Sequence, residues 1–502
     1  MPEPHQLSAV EARSLIGAGQ LSPVELLESC LAQTDRIDPA VNAMVTRADE
    51  RARAEAADAE TAVSRGDELG PLHGLPVAIK DLQPTEGITT TFGSVAMADN
   101  VPAEDAGIVA KVRAAGGIVI GKTNIPEYSI GANTLNRLFG ATGNPFDVDR
   151  TCGGSSGGSA VALATEMAPL ATGSDHGGSL RIPACYCGVV GHRSSPGVVP
   201  HEARSITQTF YSVQGPMGRT VADTALLLSV VAGRQPDPSG FRDPMAFPLD
   251  APALAQLEDV DLKELRVGFT EDLGGVLVSE SIRHTFRDRL ERIAPLVGRL
   301  EPAPVDLTAA AEVDWRIRSD VFVAQYHRDV EHWDEGFNPN IRASYNTALQ
   351  TPVEDIGKAR RLQIDLFQAF QTLYEQFDVI LCPGVSVSPF LWNDLYPREV
   401  DGAPIDNYMA WLALTASITV IGHPVTALPC GLDSFGLPFG LQVVGPMYGD
   451  HRTLSIAAAL ETVFTADAAM ARPIPDFAAL ATTDGNVRDA GRAAATAAAI
   501  PK

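Results

Sequence analysis

The first part of the chain has apolar residues at helical spacing, and two N-terminal helix signals precede them. Ser8 with Glu11, and Ser22 with Glu25, are spaced so that hydroxyl and carboxylate satisfy the free backbone N–H groups of a first helical turn. A proline directly after the second serine suits the first position of a helix. The pattern predicts an N-terminal helical segment over residues 1–65 that packs on the rest of the chain.

From about residue 70 the pattern changes to short apolar runs bounded by Gly and Pro, with stretches of helical spacing between them. This alternation indicates an α/β protein, because strands and helices bury apolar residues at different spacings. The predicted strands are 75–79, 117–120, 189–190, 265–270, 378–381 and 441–444.

No internal repeat or strong linker interrupts this pattern before the C-terminal region. We therefore predict one large domain over residues 66–465, in which 240–400 contains long amphipathic helices. From residue 466 to residue 502 the sequence is rich in alanine and weakly patterned, and we predict a C-terminal tail there.

Charge and composition exclude several classes of protein. A formal net charge of −24 over 502 residues repels polyphosphate and anionic membrane surfaces, so we expect no nucleic-acid or membrane partner. Hydrophobic residues make up 45% and charged residues 20%, which is typical of a globular protein. We find neither a membrane-spanning apolar run nor a signal peptide, and six cysteines are too few for a disulfide framework. These features predict a soluble cytoplasmic protein.

Two motifs match the sequence patterns of known sites, but their structural context does not fit those sites. The stretch GGIVIGKT at 116–123 fits a phosphate-binding loop, but its centre is apolar and β-branched, which favours a strand over a loop of exposed N–H groups. The pair Cys185 and Cys187 lacks the second cluster that a zinc site needs. We therefore expect no nucleotide cofactor and no metal.

Residues 153–157, GGSSG, match the nucleophile turn of α/β-hydrolases, in which the reactive serine directly follows a buried strand. The stretch before it, NPFDVDR, is polar and turn-like instead. A histidine base late in the chain would be His423 or His451, and nothing local distinguishes them. A Ser-His-Asp site is the alternative to the lysine base considered next.

Two loops rich in Gly and Ser lie close together in the sequence, GGSSGGS at 153–159 and GSDHGGS at 173–179. The two glycines before Ser179 allow backbone N–H groups to approach one point, as an oxyanion hole requires. A serine nucleophile needs a base, and Lys80 ends the apolar run LPVAIK. Burial disfavours the charged form of a lysine, so a buried Lys80 would be a neutral proton acceptor.

These residues resemble the core blocks of the amidase signature family, whose members hydrolyse carbon–nitrogen bonds other than peptide bonds. The blocks are GLPVAIKD at 74–81, GGSSGGS at 153–159 and GSDHGGSLRIP at 173–183. The separations between Lys80, Ser155 and Ser179 also agree with the family pattern. The resemblance covers about residues 5–465, and 240–400, the expected substrate-pocket region, is the most divergent part.

The resemblance implies a catalytic triad of two serines and one lysine. Ser179 would be the nucleophile that carries the acyl-enzyme, and Lys80 would be the base and later the acid. Ser155, joined to Gly154 by a cis peptide bond, would relay a proton between them. No metal or other cofactor takes part.

The resemblance also implies the groups around this triad. The backbone N–H groups that would hold the oxyanion are those of His176, Gly177, Gly178 and Ser179. Asp175 and Arg181 match family positions that orient the two Gly/Ser loops without belonging to the triad. The family usually has a smaller or aliphatic residue at position 176, so only the backbone of His176 is expected to take part.

The fold implied is a large mixed β-sheet covered by helices on both faces, in one domain with N-terminal helices. One departure from the family pattern stands out: the stretch 192–195 reads HRSS where Leu-Lys-Pro followed by Thr or Ser is usual. The resemblance places this stretch near the rim of the active site, so we expect an altered substrate preference.

The function predicted from these features is a stand-alone amidase that cleaves apolar or aryl amides and anilides, with carbamates as related substrates. Aromatic residues concentrate between positions 315 and 411, where they either wall the substrate pocket or form helix-packing core. The alternative is the A-type subunit of an amidotransferase that acts on aminoacyl-tRNA with partner chains. The expected partner is a small amide, and the expected state is a monomer or a homodimer.

Overall fold

Helices and strands alternate through most of the computed structural model, which describes residues 2–206, 209–234, 242–328, 330–333, 337–405, 407–483 and 485–499. The α-helices are α1 Ala9–Gly17, α2 Pro23–Val41, α3 Asp49–Arg65, α4 Gly107–Ala114, α5 Gly157–Ala164, α6 Arg181–Cys187, α7 Val221–Val231, α8 Glu280–Ile293, α9 Ala310–Tyr326, α10 Pro339–Ala348, α11 Val353–Gln371, α12 Ala413–Ile421, α13 Asp450–Thr465, α14 Phe477–Leu480 and α15 Val487–Ala499. The strands are β1 Met44–Arg47, β2 Pro76–Lys80, β3 Ile118–Thr123, β4 Leu135–Asn136, β5 Gly140–Ala141, β6 Gly143–Asn144, β7 Asp147–Thr151, β8 Leu170–Asp175, β9 Val190–Arg193, β10 Val213–Gly218, β11 Arg266–Phe269, β12 Arg299–Pro302, β13 Val379–Pro383, β14 Glu399–Val400, β15 Ala403–Pro404, β16 Val425–Leu432 and β17 Pro438–Val444.

Both N-terminal capping boxes begin helices, as the sequence predicts. The Ser8 hydroxyl accepts the N–H of Glu11 at the start of α1, and Ser22 accepts that of Glu25 at the start of α2. Strand β1 interrupts the predicted helical segment and pairs with β3 at the sheet edge. With four residues, β1 is too short for its spacing to be distinguished from that of the flanking helices.

An 11-stranded sheet lies at the centre of the single domain, in the order β1-β3-β2-β8-β10-β9-β16-β17-β13-β11-β12. Strands β3, β2 and β8 run parallel, as do β12, β11 and β13, and the other neighbours are antiparallel. The expected large mixed sheet with helices packed on it is therefore confirmed. Central strands such as β2, β3, β13 and β17 are buried throughout, which explains their continuous apolar runs.

All six predicted strands are present. The central strands β8, β10 and β16 are among those not predicted, because Gly or Pro interrupts their apolar pattern. The small residues are needed there because other groups pack directly on the strands. A Cβ at Gly173 in β8 would lie 2.4 Å from a methyl carbon of Leu180, and one at Gly215 in β10 would lie 2.6 Å from the carbonyl of His192. The motif GGIVIGKT ends in strand β3, so it is not a phosphate loop, as predicted.

Parallel pairing brings the functional segments to one edge of the sheet. Lys80 is the last residue of β2, and the neighbouring parallel strand β8 ends at Asp175. Helix α5 begins just after Ser155 and Ser156, and α6 begins just after Ser179. The lysine and both Gly/Ser loops therefore meet where two parallel strands end.

The C-terminal segment contains a helix that packs on the loop region 138–141. A Cβ at Gly491 in α15 would lie 2.2 Å from the backbone nitrogen of Ala141, so the helix backbone approaches closely at this glycine. Arg488 and Arg492 donate to the Asn42 side chain and the Leu138 carbonyl, at 3.1 and 2.8 Å. The division into segments 1–65, 66–465 and 466–502 stays a prediction. Among the described residues, no helix is long and apolar enough to cross a membrane.

Candidate active site

Lys80 is fully buried at the end of β2, and its amino group faces three serine hydroxyls. Its Nζ atom lies 2.8 Å from Ser155 Oγ, 2.9 Å from Ser156 Oγ and 2.8 Å from Ser174 Oγ. Burial lowers the pKa of Lys80 well below its usual value, and the charge of Asp175 opposes this shift only in part. The structure thus brings together Lys80 and Ser155, two of the residues predicted from the sequence, under conditions that favour a neutral amine.

Backbone contacts join the two Gly/Ser loops. The peptide bond between Gly154 and Ser155 is cis, as the family resemblance implies. The next N–H, that of Ser156, donates to the carbonyl of Ser179 at 3.2 Å. Ser156 and Ser174 also bond to each other, through the Ser156 hydroxyl and the Ser174 backbone. The contacts of Ser156 and Ser174 with Lys80 and with each other were not predicted, although both serines lie inside the Gly/Ser blocks at 153–159 and 173–183.

Asp175 is the buried anchor of the loop that carries Ser179. Its carboxylate accepts the N–H groups of Gly178 and Leu180 at 2.9 and 3.1 Å, and two arginines bind it from behind. Arg181 makes two hydrogen bonds of 3.0 Å to it, and Arg193 one of 3.1 Å. Burial alone would raise the pKa of Asp175, but these two guanidinium groups hold it below its usual value. The carboxylate is therefore ionised, and it fixes the turn between residues 175 and 180.

The predicted position of residues 192–195 at the site rim is wrong, because all four side chains are fully buried. Arg193 lies behind the loop 175–180, which carries the predicted nucleophile Ser179 (the nucleophile loop). There it binds Asp175 and the carbonyls of Phe210 and Tyr211. His192 bonds to Thr426 and Asp450 inside the sheet. This stretch therefore supports the loop and does not face the substrate space.

Some backbone donors of the loop have a partner and others do not. The N–H of Gly178 donates to Asp175. Within the part of the chain that the structure describes, the N–H groups of His176, Gly177 and Ser179 have no hydrogen-bond acceptor. Position 178 requires glycine, because its φ is +124° and a Cβ would lie 2.4 Å from the hydroxyl of Thr415. Three of the four predicted oxyanion donors are thus unoccupied.

Ser179 opens onto a cavity of ≈ 700 Å³ between the nucleophile loop, helices α9 and α10, and residues 407–413. Trp315, Phe322 and Tyr408 are the aromatic residues in its wall, and Met409 and Leu412 add apolar surface. A cavity of this size and lining suits a small or medium apolar molecule.

The remaining aromatic residues of the region pack against one another. Tyr326, Trp333, Phe337 and Tyr345 form a separate cluster with Phe322, and in it the Trp333 and Phe337 rings stack at 4.6 Å. Farther along, Phe390 and Trp411 pack edge to face at 5.2 Å. Both interpretations of the aromatic residues are therefore realised, and Phe322 belongs to the cavity wall and to the packed cluster alike.

The histidines of the alternative base lie elsewhere. His423 is buried among aromatic rings, bonded to the Ile421 carbonyl and the Gln371 side chain, and burial lowers its pKa to about 4. His451 bonds to the carbonyl of Gln256 near the surface. Neither histidine contacts a serine of the Gly/Ser loops.

Cys185 and Cys187 lie in helix α6, fully buried, and burial raises the pKa of the Cys185 thiol to about 12. No group of three or more His, Cys, Asp or Glu side chains within the described ranges is placed to hold a metal ion.

Sequence and structure comparisons define the class of the protein. The family model described as Amidase matches residues 25–454, so the chain belongs to the amidase signature family. It is a hydrolase that acts on carbon–nitrogen bonds other than peptide bonds.

Individual relatives carry the names of different enzymes. An acylamidase of Rhodococcus erythropolis is 33% identical over 91% of this chain and 96% of its own length. The A-type subunit of the glutamyl-tRNA(Gln) amidotransferase of Alkaliphilus metalliredigens (strain QYMF) is also 33% identical, over 88% of this chain and 93% of its own. Among solved structures, a bacterial aryl acylamidase of the amidase signature family superimposes with a TM-score of 0.82 at 28% identity, covering 92% of this chain and 97% of that chain.

Replacing Arg181 by methionine should lower the free energy of unfolding by about 3 kcal/mol, because it removes one partner of a fully buried ion pair. Urea unfolding followed by circular dichroism measures the change. The control is Arg361→Met, which breaks an exposed pair with Asp365 and should leave the transition in place. Equal transition midpoints for Arg181→Met and the wild type would contradict this role of Arg181.

The stabilisation of Asp175 also has a defined pH dependence. Because the pKa of Asp175 is lower in the folded chain than in the unfolded one, its contribution is complete above the unfolded pKa of about 4. It is lost as the pH falls through the folded pKa. The stability difference between the wild type and Arg181→Met should therefore shrink in acid.

Proposed function

We propose that the chain is a stand-alone amidase that hydrolyses apolar or aryl amides and anilides, with carbamates as related substrates, through an acyl-enzyme on Ser179. The observation that carries the proposal is the cavity, which has Ser179 in its wall and an apolar, aromatic lining. The likeness to an acylamidase and to an aryl acylamidase supports it.

The contacts around Lys80 support the following first step. Neutral Lys80 takes the proton of the Ser155 hydroxyl, which lies 2.8 Å away, while Ser155 takes the proton of Ser179. The Ser179 oxygen attacks the amide carbonyl, and the carbonyl oxygen becomes an oxyanion. The unoccupied N–H groups of His176, Gly177 and Ser179 are the proposed donors to it.

Collapse of this intermediate breaks the carbon–nitrogen bond. The amine leaves with a proton that passes from the Lys80 ammonium through Ser155, which leaves Lys80 neutral again. Water then attacks the Ser179 ester and gives a proton through Ser155 to Lys80. The ester C–O bond breaks, the Ser179 oxygen takes the proton back by the same route, and the carboxylic acid is released with Lys80 neutral again. A carbamate follows the same course: its amine leaves, and the alkoxycarbonyl group that remains on Ser179 is hydrolysed by water.

A second candidate function is that of an A-type amidotransferase subunit. It is favoured by relatives of that name at the same 33% identity as the acylamidase. Such a protein would act together with partner chains and an aminoacyl-tRNA. The two candidates differ in whether the chain alone turns over a simple amide.

The test is hydrolysis by the purified chain alone. The panel consists of p-nitroanilides with acyl groups of increasing length, matching aryl amides, and matching aryl carbamates, and released amine is measured. We expect turnover of apolar anilides without any added protein or RNA. Absence of turnover, followed by its appearance on addition of amidotransferase partner chains and glutamine, would support the second candidate instead.

A further inference from the structure

Helix α9 places a guanidinium group beside the nucleophile loop. Arg318 lies in the cavity wall, with Trp315 and Phe322 on the same face of the helix. A Cβ built on Gly177 would lie 3.6 Å from Arg318 Nη2, so the guanidinium group rests against the backbone two residues before Ser179. A cation is therefore held inside an otherwise largely apolar space.

Hydrogen bonds to described residues involve only two of the three guanidinium nitrogens of Arg318. Its Nε and Nη2 atoms donate to Asp314, four residues earlier on α9, at 3.0–3.3 Å. The Asp314 side chain is 4% exposed and that of Arg318 is 14% exposed. Among the residues that the structure describes, Nη1 has no acceptor. The pair is close to neutral overall and leaves a charged donor for a group in the cavity.

A second polar group without a partner lies on the same wall. The Nε2 atom of His176 is buried and makes no hydrogen bond within the described chain. The imidazole stacks on Tyr211 with ring centroids 5.2 Å apart. Burial, together with Arg318 and Arg193, keeps the pKa of His176 well below its usual value, so the ring is neutral. Because Nε2 has almost no accessible surface, His176 contributes a neutral ring to the cavity wall and no hydrogen bond from this atom.

We propose that Arg318, beside the neutral ring of His176, forms a subsite for a neutral hydrogen-bond acceptor, such as a second carbonyl group, on the amide substrate. This inference rests on the proposed amidase function and narrows its substrate class. A neutral acceptor is favoured over a carboxylate for two reasons. Asp314 already balances the charge of Arg318, and Glu312 lies in the same cavity wall and repels anions.

The experiment compares pairs of anilides of equal shape. One member carries a ketone carbonyl and the other a C=CH₂ group at the same place, in one series on the acyl chain and in another on the aryl ring. The readout is the ratio of kcat/KM within each pair. We expect the wild type to prefer the carbonyl by about tenfold or more in one series, since hydrogen bonds to charged donors are among the stronger ones.

Arg318→Met should bring this ratio close to one. The matched control is Arg316→Met on the same helix, whose guanidinium group pairs with Asp355 outside the cavity, and it should keep the wild-type ratio. Because Arg318→Met leaves the buried Asp314 unpaired, the double variant Asp314→Asn/Arg318→Met removes both charges together and should give the same low ratio. Asp314→Asn alone should raise the relative kcat/KM for a carboxylate-bearing anilide of similar length.

The outcomes separate the two proposals. Hydrolysis with a ratio that is near one in the wild type, or that is the same in the wild type and in the double variant, overturns the subsite and leaves the amidase function standing. Hydrolysis of no amide by the wild type overturns both. A carboxylate preference in the wild type would overturn the assignment of a neutral acceptor.

Discussion

Replacing Ser179 by alanine should lower kcat by on the order of 10⁵-fold or more, because the proposed nucleophile is lost. The rate of p-nitroaniline release measures the loss. Covalent labelling by a fluorophosphonate should disappear in the same variant. Mass spectrometry of the wild type, quenched during turnover of a slow carbamate, should find the acyl group on the peptide that contains Ser179.

The matched control for this variant is Ser229→Ala. Ser229 is a buried serine on helix α7 whose hydroxyl bonds to the Leu226 carbonyl, away from both Gly/Ser loops. It should retain both labelling and turnover. If the acyl group is found on Ser155 instead, or if Ser179→Ala still reacts with the fluorophosphonate, the assignment of the nucleophile is wrong.

Replacing Lys80 by methionine should lower kcat/KM by about 10³-fold or more near neutral pH, since the base and the acid of both half-reactions are lost together. In the wild type the rate should rise with pH as Lys80 loses its proton. Because burial lowers the pKa of Lys80, this rise should be complete well below the pH at which an exposed lysine titrates. The pH–rate profile of Lys80→Met should lack this limb.

A second buried lysine provides the control for Lys80→Met. The ammonium group of Lys111 donates to the carbonyls of Val231 and Gly233, far along the chain from the Gly/Ser loops. Lys111→Met should lower stability and leave the pH dependence of kcat/KM unchanged. Activity of Lys80→Met near pH 7 that equals the wild-type value would exclude a lysine base, and a dependence on His423 or His451 would then have to be tested.

The lowered pKa of Lys80 should also make the free energy of unfolding depend on pH. Between the folded pKa of Lys80 and the usual lysine value, the unfolded chain binds more protons than the folded chain. Stability therefore rises with pH across this window, and Lys80→Met should remove that part of the rise. A pH titration of the urea midpoint compares the two proteins.

Local signals made part of the fold predictable. The capping boxes at Ser8 and Ser22 and the apolar run that becomes β2 identify their elements from a few neighbouring residues. Strands β8, β10 and β16 were not predicted because glycines interrupt their apolar pattern, and groups from outside each strand pack on these glycines. No local pattern records such a contact.

The candidate site likewise contains residues that could be predicted from the sequence and residues that could not. Lys80, Ser155 and Ser179 lie in three short blocks whose spacing carries the family resemblance, so they could be named before any distance was known. Arg193 was missed although a charged residue in the apolar strand VVGHR is a signal of a buried ion pair. Arg318 could not be found, because its place beside Gly177 depends on how α9 packs against a loop more than a hundred positions away.

The hydrogen bonds that hold the nucleophile loop in place also determine when this loop can fold during synthesis. Arg181 donates to the Thr415 carbonyl and to the Gln442 side chain, partners that lie 234 and 261 positions farther along the chain. Thr415 in turn donates to the Gly177 carbonyl. A chain growing on the ribosome carries Lys80, Ser155 and Ser179 long before it carries these supports, and contacts so distant in sequence form late. We therefore expect the loop that carries Ser179 to become ordered only after residues 415 and 442 have left the ribosome.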